Sequence, residues 1–444
     1  MHHIKRPFWG LLLALSILWL LADSFLPSPF TYFSFRNVFM QYSGVLGIGV
    51  MSVAMLIATR PAWLERRWGG LDKMYRLHKW LGIAGLALAI VHWWWAQGTK
   101  WMVRWGWLAR PQRKRITDVE LGLVEGWLRS QRGLAESVGE WAFYATVILI
   151  ALALIKRFPY RLFAKTHRWI AAVYLVLAYH AAVLLKFSDW PQPLGWVMAT
   201  LLLAGTVSAA LVLSGRVGAH RKTLGTVEAV TAYPDLRAIE AAVRLQEGWP
   251  GHAAGQFAFV TFDAKEGAHP YTIASAWDAT ARRIVFIIKA LGDHTSTLRE
   301  QLKEGDAVSV EGPYGRFDFH DRHARQIWIG AGIGITPFVA RMKQLAQRRA
   351  HHAIDLFHPT SDFDQSAIDK LTADARAAGV RLHLLRSPRD GVLDAATIRA
   401  AVPDWRQASI WFCGPAGFGS ALRKDFVGSG LRQADFHQEL FQMR

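Results

Sequence analysis

Residues 76–97 read RLHKWLGIAGLALAIVHWWWAQ, and residues 163–187 read FAKTHRWIAAVYLVLAYHAAVLLKF. Each run is long and apolar enough to cross a hydrocarbon core of about 30 Å as a helix. Each also carries a pair of histidines, His78 with His92 and His167 with His180, and of the 17 histidines in the chain only these four fall between residues 8 and 214. Ionisable side chains are costly inside a membrane and usually do chemistry there. At a rise of about 1.5 Å per residue, separations of fourteen and thirteen residues set the members of each pair about 20 Å apart along the helix. One intervening span restores direction, so the two helices run parallel. His78 then comes level with His167, and His92 with His180, predicting two bis-histidine sites one above the other. Bis-imidazole ligation suits an electron-transfer haem, because an iron with both axial positions filled changes redox state with little rearrangement. Fourteen residues complete nearly four helical turns, but thirteen leave an offset of about 140° that a tilt, a bulge or imidazole reach must absorb. The bland alternative is four polar residues near helix ends; a further one is a proton-handling transporter without haem.

Six apolar stretches, 8–26, 38–58, 76–97, 139–158, 163–187 and 193–214, predict a membrane all-α six-helix bundle over residues 1–215. The chain is 52% hydrophobic over 444 residues, too long and too apolar for one soluble domain. Its formal net charge of +18 would suit nucleic acid, but the basic residues flank apolar spans, where they face anionic lipid and set topology, and no nucleic-acid motif accompanies them. Lys5 and Arg6, the clusters Arg60–Arg76 and Lys156–Lys165, and Arg216 to Lys222 place both chain ends in the cytoplasm. The loop 98–138 runs against that rule, being basic yet external by parity. The tryptophans from Trp93 to Trp107 mark a membrane interface. A single cysteine, Cys413, excludes an internal disulfide and an all-cysteine iron–sulfur centre.

Beyond residue 222 the composition changes. Short strands at 226–230, 238–245, 256–262, 284–288 and 307–311 predict an antiparallel β-barrel over 223–322. From 323 to 444, strands at 326–329, 353–357, 380–385 and 409–412 alternate with helical patterns at 337–346 and 367–378, the rhythm of an α/β doubly wound domain. Gly330-Ala331-Gly332-Ile333-Gly334-Ile335-Thr336-Pro337 follows a strand and opens a helix. Missing side chains there let a pyrophosphate approach the helix N-terminus, and Pro337 fits the first turn.

His269-Pro270-Tyr271-Thr272-Ile273-Ala274-Ser275 resembles the flavin-lining strand of the ferric reductase and NADPH oxidase family, whose soluble half is like ferredoxin-NADP reductase. By that resemblance Tyr271, Thr272 and Ser275 contact FAD, with Thr272 near the reactive ring nitrogen and His269 where soluble relatives tend to have Arg. The segment Lys289 to Thr295, with Gly292, is similar to the family's diphosphate loop, and Gly312-Pro313-Tyr314-Gly315 to the turn closing the flavin domain. Cys413-Gly414-Pro415 resembles the second nicotinamide-side turn, which implies Cys413 near the hydride path. In Phe436-His437-Gln438-Glu439-Leu440-Phe441, Phe441 matches the aromatic that stacks on the flavin and yields to nicotinamide.

The resemblance implies a bacterial inner-membrane enzyme that passes electrons from NADPH or NADH, through FAD and two haem b groups, to an external acceptor: oxygen giving superoxide, or a ferric chelate. The alternative is a non-enzymatic haem relay subunit serving a quinone or partner protein. The family's NADPH-preferring members often carry a basic residue after the second nucleotide-domain strand. Here that stretch reads Phe357-His358-Pro359-Thr360, with Thr360 and Arg386 as possible phosphate contacts, so the choice of nucleotide stays open.

Overall fold

The computed structural model describes residues 2–109, 122–155, 157–348, 352–387 and 389–439. Contacts divide the chain into two compact units, one reaching residue 217 and the other formed by 69–72 with 218 onward.

The first unit is helical: α1 (His2–Ala22), α2 (Tyr32–Ala58), α3 (Ala62–Trp68), α4 (Leu71–Arg104), α5 (Leu123–Leu154), α6 (Tyr160–Arg168), α7 (Ile170–Leu184) and α8 (Pro193–Leu213). α5 packs along α7 and α2 along α8. The interior is built from Leu15, Trp19, Leu46, Met51, Tyr174 and Met198, while Leu20, Trp141, Ile148 and Leu203 point outward. An apolar exterior is what a surface facing lipid requires. Among the described residues five spans are long and apolar enough to cross a membrane: Ile4–Ala22, Tyr32–Ala58, Leu123–Leu154, Arg161–Leu184 and Pro193–Leu213. α4, with 34 residues, is not among them.

Two sequence expectations change here. The stretch 98–138 is not one long loop, since α4 runs on to Arg104 and α5 begins at Leu123. Ion pairs one turn apart, Arg129 with Glu125 at 2.7 Å and Arg132 with Glu136 at 3.0 Å, suit a helix there. Arg110, Arg113, Lys114 and Arg115 lie outside the described residues. The span expected at 163–187 is present as Arg161–Leu184, interrupted at Trp169, which closes α6 and precedes α7.

The second unit holds two sheets. The first is antiparallel, ordered β4-β3-β6-β1-β2-β5, from β1 (Lys222–Tyr233), β2 (Ala238–Leu245), β3 (Phe257–Thr261), β4 (His269–Thr272), β5 (Arg283–Lys289) and β6 (Ala307–Tyr314). Its two edges meet where Ile273 bridges Phe286 and Ala274 N–H donates to the Val285 carbonyl at 2.8 Å. Alternation along the strands turns Ile239, Val243, Val260, Phe286 and Val310 into one apolar core. A short helix, α9 (Asp293–Gln301), follows β5.

The second sheet is parallel, ordered β11-β10-β7-β8-β9, from β7 (Arg325–Gly330), β8 (Ala353–Thr360), β9 (Arg381–Arg386), β10 (Ala408–Cys413) and β11 (Phe436–Gln438), with α10 (Thr336–Gln347), α11 (Gln365–Ala378), α12 (Ala395–Ala401) and α13 (Ala416–Gly428) connecting them. From central β7 the chain moves first to β8 and β9 and then returns to β10 on the other side. The strand order therefore reverses between β7 and β10, and a crevice at the carboxyl ends of those strands is where open α/β sheets take their ligands.

Candidate functional site

The histidine pairs face each other across the helical unit. The ring centres of His78 and His167 are 5.9 Å apart, and those of His92 and His180 are 6.4 Å apart. Two metal–imidazole bonds of about 2 Å, with about 1 Å from each nitrogen to its ring centre, span about 6 Å. One metal ion therefore fits between each pair. Among the described residues no group of three or more His, Cys, Asp or Glu could hold a metal. A pair of imidazoles alone leaves a metal mostly uncoordinated, whereas a tetrapyrrole brings four nitrogens of its own, so the donor set fits haem.

The outer nitrogens agree with this. His78 Nδ1 donates to the Ala54 carbonyl at 2.9 Å and His180 Nδ1 to the Ala135 carbonyl at 2.8 Å. His92 Nδ1 lies 3.0 Å from Ser43 Oγ, whose own proton goes to the Phe39 carbonyl at 2.8 Å, so that oxygen accepts. A carbonyl can only accept, which puts the proton on Nδ1 and leaves Nε2 with a bare lone pair; metal-bound histidines are oriented in this way. His167 differs: its Nδ1 is buried without a hydrogen-bond partner among the described residues, and its ring stacks on Phe163 at 5.0 Å.

The break at Trp169 bears on the thirteen-residue spacing. Trp169 N–H bonds the Thr166 carbonyl at 3.0 Å, an i to i−3 bond that overwinds the chain there. Overwinding carries thirteen residues towards four full turns and so reduces the offset between His167 and His180.

Gly139 was not legible as functional from sequence. A Cβ there would lie 2.0 Å from His180 Nδ1, so the ring occupies the space a side chain would fill. Gly139→Ala is expected to displace His180 and lower haem content, whereas Gly133→Ala on the same helix meets nothing within 4 Å and should retain it. Haem-to-protein ratios of the two purified variants check this.

In the antiparallel sheet, β4 places His269, Pro270, Tyr271 and Thr272 against β3, with Thr272 opposite Phe257. Thr272 and Ser275 are both buried. Ser275 Oγ accepts from Val285 N–H at 3.1 Å, which ties the segment after β4 to β5. A supporting residue missing from the sequence expectations is His252. Its Nε2 donates to the Ser275 carbonyl at 3.1 Å and Trp249 Nε1 donates to its Nδ1 at 3.4 Å. Burial pushes His252 down to about 4, so the ring stays neutral and can hold both bonds. Gly292 caps α9, and Thr295 Oγ1 accepts from the N–H groups of Leu291 (2.9 Å) and Gly292 (3.1 Å). Residues 312–314 form the end of β6, where Tyr314 pairs with Phe257, so this stretch is strand and turns only at Gly315, with φ +101°.

The parallel sheet brings the two turns noted in the sequence together. Cys413 pairs with Gly330 across β10 and β7, and Ala331 N–H donates to the Cys413 carbonyl at 3.0 Å. The three glycines divide the work. A Cβ on Gly334 would lie 2.2 Å from the Cys413 carbonyl oxygen, and one on Gly330 would lie 3.0 Å from Ile335 Cα; these two allow close packing. Gly332 has φ +55° and nothing within 4 Å of its missing side chain, so its open face leaves room for a pyrophosphate. Thr336 Oγ1 donates to the Ile333 carbonyl at 2.9 Å, and Pro337 stands in the first turn of α10. Gly414 and Pro415 lead into α13.

Two expected residues fare differently. Phe441 lies outside the described residues. The Cys413 thiol does not open onto a cleft: it is fully buried with Phe338 and Trp411, and burial pushes its pKa well above the ordinary thiol range. It is therefore expected to resist iodoacetamide at pH 8 in the folded protein and to react fully once denatured, as mass spectrometry of the alkylated chain would show.

Comparisons with known proteins agree with both halves. The family described as ferric reductase like transmembrane component matches residues 43–178, and an FAD-binding domain family matches 236–318. A Mycobacterium tuberculosis protein named NADPH oxidoreductase is 27% identical over 215 residues, covering 45% of this chain and 56% of that protein. A Xylella fastidiosa flavohemoprotein is 25% identical over 203 residues, covering 43% and 51%. The chain thus spans about half the length of these relatives. Among solved structures, the ferredoxin reductase in carbazole 1,9a-dioxygenase aligns at a TM-score of 0.42 and 20% identity, covering 50% of this chain and 69% of that one.

Proposed function

Because this chain has the two-part architecture of the ferric reductase and NADPH oxidase family, we propose that it is a transmembrane oxidoreductase taking electrons from cytoplasmic NAD(P)H, by way of FAD and two b-type haems, to an acceptor outside the membrane. The observation that carries this is the pair of facing imidazoles at each of two levels, with ring centres 5.9 Å and 6.4 Å apart. When bound, the nicotinamide supplies a hydride, the flavin divides its two electrons, and the haems supply one-electron chemistry.

The residues divide into holders and positioners. His78 with His167 would hold the inner haem, and His92 with His180 the outer; Ala54, Ser43 and Ala135 fix the tautomers that leave Nε2 available. His269, Pro270, Tyr271, Thr272 and Ser275 would line FAD, with His252 steadying the Ser275 backbone. Lys289, Gly292 and Thr295 stand around the N-terminus of α9, where backbone N–H groups favour phosphate. Gly330, Gly332, Gly334, Thr336 and Pro337, facing Cys413, Gly414 and Pro415, would cradle the nicotinamide nucleotide, and Phe441 would cover the flavin. A neutral, buried Cys413 acts here by packing the two turns together rather than as an acid or base.

We take α4 as a sixth crossing, since its 34 residues span about 51 Å as helix, and the antiparallel sheet as a closed barrel. Three domains follow, 1–215, 223–322 and 323–444, with both chain ends cytoplasmic by the excess of Lys and Arg in the segments 60–76 and 156–165.

The test is anaerobic reduction of the purified protein by NADH and by NADPH, followed in the flavin and haem bands, with oxygen, ferric citrate and a quinone then supplied as oxidants. Bleaching of flavin with reduction of haem, reversed by one of the oxidants, is expected. Haem bands that respond to dithionite but to neither nicotinamide would make the chain a relay subunit instead.

A further inference from the structure

The choice between NADH and NADPH rests on the carboxyl end of β8, beside the Gly332 turn. A cleft opens there, and its lining includes Lys289, Gly332, His358, Thr360, Asp362 and Lys370. A nucleotide whose pyrophosphate lies on the Gly332 turn would run its adenosine ribose towards the residues that follow β8, because the second strand of such a sheet ends next to the first.

Among the described residues the cleft's own lining carries no unpaired lysine or arginine; Arg237, whose charge reaches Asp362, and Arg386 stand outside that lining. Two cations line the cleft, and each is paired: Lys289 with Asp362, and Lys370 with Glu240 at 2.7 Å. The β8 turn itself contributes two carboxylates, Asp362 and Asp364, the second capping α11 by accepting from Ala367 N–H at 3.1 Å. Thr360 spends its hydroxyl proton on the Asp362 carbonyl at 2.8 Å. His358 is buried, and its Nδ1 donates to the Gly330 carbonyl at 2.6 Å, so it ties β8 to the glycine turn. Burial also holds its pKa below the ordinary histidine value, and the ring brings no charge to a phosphate. Arg386, level with Thr360 on the neighbouring strand, lies over the Phe363 ring at 4.1 Å.

A 2′-phosphate carries close to two negative charges and needs an uncommitted cation, ideally a guanidinium fork. A 2′-hydroxyl needs only an acceptor, and a carboxylate is a strong one. We infer that this chain uses NADH in preference to NADPH, with Asp362 accepting from the adenosine ribose hydroxyl while it and Glu240 keep Lys289 and Lys370 from meeting a 2′-phosphate. This deepens the nucleotide assignment made above and rests on it. Lys289 then has a second part: it holds the Asp362 carboxylate towards the cleft in the absence of nucleotide.

The experiment uses the full-length protein in detergent. Calorimetric titration with ADP-ribose and with 2′-phospho-ADP-ribose gives binding apart from turnover, and kcat/KM for NADH and NADPH gives the discrimination. The wild type should favour the nucleotide lacking the phosphate by about 100-fold in both readouts, about 2.7 kcal/mol. Asp362→Ser, with Arg386 retained, should lose NADH affinity, gain NADPH affinity and shrink the ratio at least about tenfold. Asp362→Asn preserves the shape of the turn and should move the ratio the same way, so a folding defect in the serine variant would not conceal the result. Wild-type preference for the phosphorylated nucleotide, or ratios unmoved in both variants, overturns the inference while leaving the site in place. Binding of neither ADP-ribose would overturn the nucleotide site itself.

Discussion

Replacing His78 with Ala is expected to remove about half of the bound haem and to stop nicotinamide-dependent reduction of the external acceptor, while flavin reduction continues. His78 and His167 form one facing pair and His92 and His180 the other, with no third ligand type in either group among the described residues. Loss of one imidazole therefore empties one site and spares the other. His167→Ala should match His78→Ala, whereas His92→Ala and His180→Ala should remove the second haem and leave the first reducible by NADH. Haem-to-protein ratio, with stopped-flow absorbance of the flavin and haem bands, measures each of these. Equal loss of haem from all four variants with no distinction in flavin-to-haem transfer would contradict the pairing.

The second large effect is expected at Gly334. An alanine Cβ there would meet the Cys413 carbonyl oxygen at 2.2 Å, its carbon at 2.6 Å and Gly414 N at 2.9 Å, all backbone atoms of the facing turn. Side chains can rotate away from a clash, but two strand-anchored turns cannot separate without breaking the register between Cys413 and Gly330. Gly334→Ala should cost about 3 kcal/mol or more in the second unit and reduce nicotinamide-driven flavin reduction by about 100-fold, because the turns that position the nucleotide would be pushed apart. Haem content and dithionite reduction should be unaffected. Gly332→Ala is a useful contrast: it meets no neighbour, so its cost is confined to φ +55° and to intrusion on the nucleotide. Urea unfolding curves and kcat/KM together separate the two.

Much of this arrangement was readable from residue spacing. The separation of fourteen residues between His78 and His92 comes to nearly four full turns, and the glycine turn between strand and helix announces itself in Gly330 to Pro337. What spacing could not supply falls into three kinds. The partners that orient the histidines are largely main-chain carbonyls, those of Ala54 and Ala135, and every residue has one, so no residue type marks them. Gly139 matters through the absence of a side chain beneath His180, and a glycine in an apolar helix otherwise reads as a packing residue. Lys289 and Asp362 stand 73 positions apart and meet only because β5 and the end of β8 line one cleft.

The helix break at Trp169 belongs to a different class. The thirteen-residue interval announced a mismatch of rotation, but a tilt, a bulge and imidazole reach were all compatible with it. The i to i−3 bond from Trp169 to Thr166 identifies a local overwinding as one contribution. Basic residues between 98 and 138 likewise read as a loop by charge alone, whereas the spacing of Glu125, Arg129, Arg132 and Glu136 carries the helical signal that extends α5.

The most direct measurement of the central claim is the haem content and spin state of the purified full-length protein, by pyridine haemochrome assay and low-temperature electron paramagnetic resonance. Two b-type haems per chain, both low-spin with two imidazole ligands, are the predicted result. A chain that binds no haem, or one whose iron is high-spin with an open axial position, would contradict it.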